Sequence, residues 1–187
     1  MHTMTRPSGA WVPSWDLGRP SPVVLRLLPR VHHPPARVLV PGCGPGHEAR
    51  ALDARGYRVT AMDLPGRGPD DLPVVHADFL DADFDSEALG GGGFDLVCEH
   101  AYFCSIHPVA RARYVTAVAK ALRPGGKLFG AFLQFDEPGR TSPPWGVSAS
   151  ELIALLSGAF DVEHLETSSF PFHLAGATQI EAIFTRR

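Results

Sequence analysis

The sequence predicts an α/β protein: a doubly wound, mostly parallel seven-stranded sheet with an antiparallel last strand. Three observations lead there. Residues 36–64, ARVLVPGCGPGHEARALDARGYRVTAMDL, read as strand, glycine-rich turn, helix and second strand with an acid at its tip. Further strand patterns at Phe94–Cys98 and Lys127–Leu133 are separated by a helical pattern at Pro108–Leu122. The last two extended segments, Phe160–Thr167 and Ala177–Thr185, pair as an antiparallel end to the sheet.

Residues 1–35 are rich in proline (Pro7, Pro13, Pro20, Pro22, Pro29, Pro34, Pro35) and form an arm with one short helix around Pro22–Leu28. Val38, Leu39 and Val40 are the unbroken apolar run of a strand covered on both faces. Gly42, Gly44 and Gly46 allow a sharp turn and close approach of a ligand to the backbone. Asp63 ends the second strand about 20 residues beyond Gly42, where a carboxylate accepts from a ribose diol. Only PGRGPDDLP, Pro65–Pro73, separates it from the third strand, Val74–Ala77. A parallel crossover usually takes roughly a dozen or more residues and a helix. This stretch has too much Pro and Gly, so a loop replaces the helix and leaves the site open on that side.

Ser86–Leu89 is a helix remnant and Gly90–Gly93 a flexible loop. The fourth strand ends in Glu99 and His100. Val109, Tyr114, Val115, Val118, Ala119 and Leu122 follow a 3.6-residue period, and Arg123–Gly126 turn the chain into the fifth strand. After a loop with Pro138, Pro143 and Pro144, Ser148 with Glu151 forms a capping box for a helix at Ser148–Ser157.

Bulk properties narrow the function. The 187 residues suffice for one domain, 1–187, with a sizeable core. Net charge is −3, arginine supplies nearly all the positive charge, and no basic stripe suggests nucleic acid. No apolar run reaches the roughly 20 residues of a membrane span, and MHTMTRPSGAWVPSWDLG lacks the apolar core of a signal peptide. Cys43, Cys98 and Cys104 form no C-x-x-C pair, which fits a reducing cytoplasm. The nine histidines lack zinc-site spacing, so no metal is expected. The glycine order is G-x-G-x-G, with His47 where the third glycine of a dinucleotide fingerprint would stand, and no P-loop Lys follows Gly46.

WDLGRPSP (Trp15–Pro22), VPGCGPG (Val40–Gly46), Asp78–Phe79, FDLVCEHAYFCSIHPVAR (Phe94–Arg111), LRPGGKL (Leu122–Leu128) and FDEPGRTSPPWGVSASEL (Phe135–Leu152) resemble the thiopurine S-methyltransferase family, nearest its thiol and halide branch. Two departures stand out. PGRGPDDLP replaces the usual second crossover helix, and Glu99–His100 stand where that branch often has Asp–Tyr.

The resemblance implies a Rossmann-like class I methyltransferase fold that uses S-adenosyl-L-methionine and releases S-adenosyl-L-homocysteine. It implies a small-molecule acceptor, a thiol, sulfide or halide, no nucleic-acid or membrane partner, and a monomer or weak homodimer. Pro41, Gly42 and Gly44 would lie under the methionine moiety, Asp63 and Leu64 at the ribose, Asp78 and Phe79 at the adenine. Trp15 in the arm would cover the cofactor, and Glu99 would also touch it. His100, Arg111 and Glu99 are the catalytic candidates, with Tyr102, Phe103, Arg111 and Trp145 on the acceptor side. Three alternatives remain open: an O- or N-acceptor, a small NAD-binding oxidoreductase, and a cofactor-binding protein without catalysis.

Overall fold

A computed structural model describes residues 16–137, 139–170 and 176–187. Seven strands form one sheet: β1 Arg37–Pro41, β2 Arg58–Asp63, β3 Val74–His76, β4 Phe94–His100, β5 Leu122–Gln134, β6 Phe160–Thr167 and β7 Thr178–Arg186. Their order is β3-β2-β1-β4-β5-β7-β6. Strands β1 to β5 run parallel, and β7 pairs antiparallel with both β5 and β6. The order reverses between β1 and β4. At such a switch point adjoining loops diverge and leave a crevice beyond the strand ends.

Among the described residues, four α-helices cover the sheet: α1 Pro22–Leu27, α2 His47–Asp53, α3 Arg111–Ala121 and α4 Ala149–Leu156. Strand alternation assigns the core residues. Val38 and Val40 face α1 and α2 with Val24, Leu27, Leu52 and Cys98, whereas Leu39 joins Phe94, Val97, Tyr114, Val118 and Leu128 on the α3 face. Ser148 caps α4 as its sequence predicts, accepting from the Glu151 amide at 3.1 Å.

No helix lies between β2 and β3. The connecting loop is held instead by side chains. Arg50 of α2 donates to the Pro45 carbonyl at 2.6 Å and bridges to Asp71, while Leu72 packs on the α1–α2 core. A three-residue edge strand needs little more, because one of its sides faces no partner.

One boundary differs from the expected one. The strand β5 begins at Leu122, not Lys127, and Arg123–Gly126 bulge out of it between two pairings, Phe94 with Leu122 and Leu96 with Lys127. Arg123 closes the bulge on Asp95 at 2.6 Å. A proline and two glycines read as a turn in sequence, but here flanking ladder bonds resume on either side. Gly130 matters further along: a Cβ there would lie 1.9 Å from the Glu99 carbonyl oxygen. Only glycine lets β5 pass the end of β4 this closely.

Candidate active site

A cleft of about 1120 Å³ opens where β1, β2, β3 and β4 end. That exceeds the usual size of a small-ligand pocket and is enough for a nucleoside and a second small molecule. Its floor is the turn after β1. Gly42 and Gly44 have φ of 57° and 50°, in the left-handed region. The Cys43 amide donates to the Met62 carbonyl at 2.9 Å and the Gly44 amide to Asp63 Oδ2 at 2.9 Å. The other carboxylate oxygen of Asp63 accepts from the Leu64 amide at 2.8 Å. Asp63 thereby ties the glycine turn to the tip of β2, and its remaining lone pairs stay free for hydroxyl donors.

Gly42, Gly44, Asp63, Leu64, Asp78, Phe79, His100 and Tyr102 all line this cleft, so most of the expected residues come together. Asp78 is exposed at the rim, whereas Phe79 is buried and packs edge-on against Phe84 and Tyr102. Pro41 borders a smaller recess with Glu48 and His100. Trp15 lies outside the described residues.

Four expectations are corrected in location. Glu99 is fully buried, and neither carboxylate oxygen is free. Oε1 accepts from the amides of Tyr102 at 2.9 Å and Phe103 at 2.8 Å, and Oε2 from the Tyr114 hydroxyl at 2.9 Å. The carboxylate anchors a sharp turn in which Ala101 holds a φ of 62°, a costly conformation for a residue with a Cβ. Burial pushes Glu99 up to about 7, against the three donors that favour its charged form. Arg111 is also buried. It binds Glu151 of α4 at 2.5 Å and the Gly146 carbonyl at 2.8 Å, and lies over the Phe103 ring at 4.9 Å, so it clamps α3 to α4 and does not line the cleft. Phe103 is a core residue between Tyr114 and Phe132. Trp145 stacks edge-on with His107 at the rim, outside the lining itself.

The sequence reading missed Glu48. It lies in the first turn of α2, where an acid reads as a favourable partner for the helix dipole. In the fold it is buried, accepts from the Ser21 amide at 2.9 Å, and bonds His100 Nδ1 at 3.0 Å. Burial opposes the charge on both groups, yet the mutual bond prevails: His100 is raised and Glu48 lowered from their ordinary values. His100 Nε2 is buried with no hydrogen-bonding partner among the described residues. Cys43 and Cys104 sit nearby, but burial pushes their thiols up to about 11 and about 12, so they pack without reacting.

One His/Glu group also escaped the sequence reading. Among the described residues, His164, Glu166 and Glu181 bring ligand-type atoms within 4.8 Å of one another. Arg26 already pairs with Glu181 there, a cation where a metal would need to sit.

The family model for "Thiopurine S-methyltransferase (TPMT)" matches residues 11–68 and 69–185. The chain belongs to this family. It is 32% identical to "Probable thiol methyltransferase 2" of Arabidopsis thaliana over 77% of this chain and 70% of that protein. It is 28% identical to "Thiocyanate methyltransferase 1" of Brassica oleracea over 73% of this chain, but spans only 63% of that relative's length. The bacterial "Thiopurine S-methyltransferase" of Pseudomonas fluorescens (strain Pf0-1) is 27% identical over 78% of each chain. In fold, the chain matches the crystal structure of Burkholderia thailandensis 1,6-didemethyltoxoflavin-N1-methyltransferase with a TM-score of 0.72 at 23% identity, covering 88% of this chain and 76% of that one.

The protein is therefore an S-adenosylmethionine-dependent methyltransferase that acts on a small molecule. The site fits that donor. Its glycine floor leaves room for a backbone-hugging methionine moiety, Asp63 offers lone pairs to a diol, and Asp16, Asp63 and Asp78 complement a sulfonium and an ammonium. No helix among the described residues is long and apolar enough to cross a membrane.

Proposed function

We propose that this protein methylates a small soft nucleophile of the thiol, sulfide or halide class, giving the methylated product and S-adenosylhomocysteine. The observation that carries this reading is the glycine turn pinned by Asp63 at the head of the cleft, with His100 facing the same space. Three relatives support a sulfur acceptor: their names specify thiol, thiocyanate and thiopurine S-methylation.

S-adenosylmethionine brings a methyl group already activated by a positive sulfur. The reaction presents no carbonyl or phosphoryl group for the protein to polarise. It has to hold two partners in line and exclude water, and good alignment supplies up to roughly 7–11 kcal/mol. Asp63 would take the ribose hydroxyls while it keeps Gly44 in place. Asp78 would accept from the adenine amino group beside Phe79. Tyr102 would wall the donor from the acceptor: its ring touches Gly42, since a Cβ on that glycine would come within 2.3 Å of it.

The test is a turnover screen with thiols, sulfide, iodide, thiocyanate, thiopurines, a phenol and an amine, read by S-adenosylhomocysteine release. Turnover confined to soft nucleophiles is the expected result. Turnover on the phenol or amine alone would overturn the acceptor class.

A further inference from the structure

We infer that the acceptor is a small thiol that enters still protonated, and that His100, positioned by Glu48, takes its proton. The inference rests on the proposed methyl transfer and narrows its acceptor. It stands on three features of the site.

The first is geometric. His100 borders the cleft and also a small recess of about 10 Å³ walled by Cys104, Ala131, Leu133 and Gln179. Cys104 and Leu133 line both spaces, so the recess adjoins the cleft beside the imidazole. It holds about one water-sized group, room for a sulfur atom and none for a fused ring. Ala101, Cys104, Ala131 and Leu133 give it an apolar side that suits a soft sulfur, and Glu99, His100 and Gln179 a polar one.

The second is the orphaned nitrogen. Nδ1 is committed to Glu48 at 3.0 Å, while Nε2 is buried and has no hydrogen-bonding partner among the described residues. A buried polar atom without a partner is costly unless a ligand supplies one. A carboxylate behind Nδ1 fixes the ring and stabilises the imidazolium that forms when Nε2 accepts a proton, the base-and-orienter arrangement of nucleophile activation. The charged and titratable groups around the ring are Glu48 and His47 of α2, Asp16 and Arg19 of the arm, and Cys43, Glu99 and Cys104. Asp16 and His47 bind each other at 2.9 Å.

The third is charge. Among the described residues, the cleft lining holds the carboxylates of Asp16, Asp63 and Asp78 against one guanidinium, Arg67. Arg111, the cation expected to attract an anion, is bound to Glu151 and Gly146 instead. With those carboxylates set against the donor's own cationic groups, the described lining keeps only the exposed Arg67 as a guanidinium for an anionic acceptor, whereas a neutral thiol needs no cation. The balance closes. The S–H proton moves to His100 Nε2, the sulfur forms a bond to the methyl carbon, and the sulfonium S–CH₃ bond breaks with its electron pair left on the departing sulfur. The products are a methyl thioether and S-adenosylhomocysteine, and His100 returns the proton to water.

The experiment compares wild type, Glu48→Gln and His100→Gln with methanethiol, hydrogen sulfide, iodide, thiocyanate and a thiopurine across pH, alongside NMR titration of the His100 imidazole. Methanethiol and hydrogen sulfide should exceed the two anions and the thiopurine by about tenfold or more in kcat/KM. His100→Gln should lose about 10²–10⁴-fold on the thiols, with S-adenosylhomocysteine binding retained. Glu48→Gln should lower the His100 titration midpoint and move the rising limb of the pH–rate profile by the same amount. A profile set by the thiol alone would not move and would overturn the inference. So would iodide or thiocyanate turnover equal to that of the thiols, which leaves the methyltransferase reading intact. No turnover on any acceptor would overturn both.

Discussion

The cleft rim built by β1, α2 and β2 and the rim built after β4 meet at His100, and they use their carboxylates differently. On the first rim, Asp63 binds two backbone amides and still faces the cleft with open lone pairs. On the second, Glu99 makes the same kind of amide contacts but lies sealed under Ala101 and Tyr114. Both are buried, but Asp63 borders the open cleft and Glu99 does not. A carboxylate at a strand tip keeps an edge on the cleft where the next connection is an open loop, and is enclosed where the next turn folds back over it. An acid at the end of a strand thus marks the ligand end of the sheet without revealing whether it touches the ligand.

The sharpest way to break this contrast is at the glycine floor. Gly42→Val places a side chain into Tyr102 from a backbone at φ 57°. S-adenosylhomocysteine affinity should fall by about 100-fold or more, roughly 3 kcal/mol, in calorimetric titration. Gly42→Ala with Tyr102→Ala should recover part of that loss, because the collision is with the ring.

The buried rim gives a pH signature. The Glu99 carboxyl goes from 4.5 in the unfolded chain to about 7 in the folded one. Between those values the native state binds more protons, so this group's contribution to stability falls as pH rises from about 4.5 through about 7. Glu99→Gln keeps a carbonyl for the Tyr102 and Phe103 amides and cannot ionise. Its stability relative to wild type should improve by about 3 kcal/mol between pH 4.5 and pH 8, measured by urea unfolding. An unchanged difference would mean that Glu99 ionises freely.

Arg111→Met gives the smallest effect. It strands the Gly146 carbonyl and a half-exposed Glu151, which should cost about 1–3 kcal/mol of stability. Turnover of a small thiol should stay within about twofold. A large rise in KM would restore Arg111 to the acceptor site.

These corrections show where the sequence stops being legible. The glycine turn, Asp63 and the helix-free second crossover are local features. Turn chemistry and strand patterning over fewer than about 30 residues determine their place in the fold. The fates of Glu99 and Arg111 depend on Tyr114, Gly146 and Glu151, which come near only after α3 and α4 pack. Glu48 was passed over for the same reason in reverse. It is an ordinary first-turn acid until β4 delivers His100 beside it. Spacing along the chain marks the glycine floor of the cleft; the Glu48–His100 pair exists only across elements.

The most direct measurement is calorimetric titration of S-adenosylhomocysteine into wild type and Asp63→Ala. The account predicts saturable binding at one site per chain for wild type and at least about tenfold weaker binding for the variant. No heat with wild type, or equal affinity in the two proteins, would contradict it.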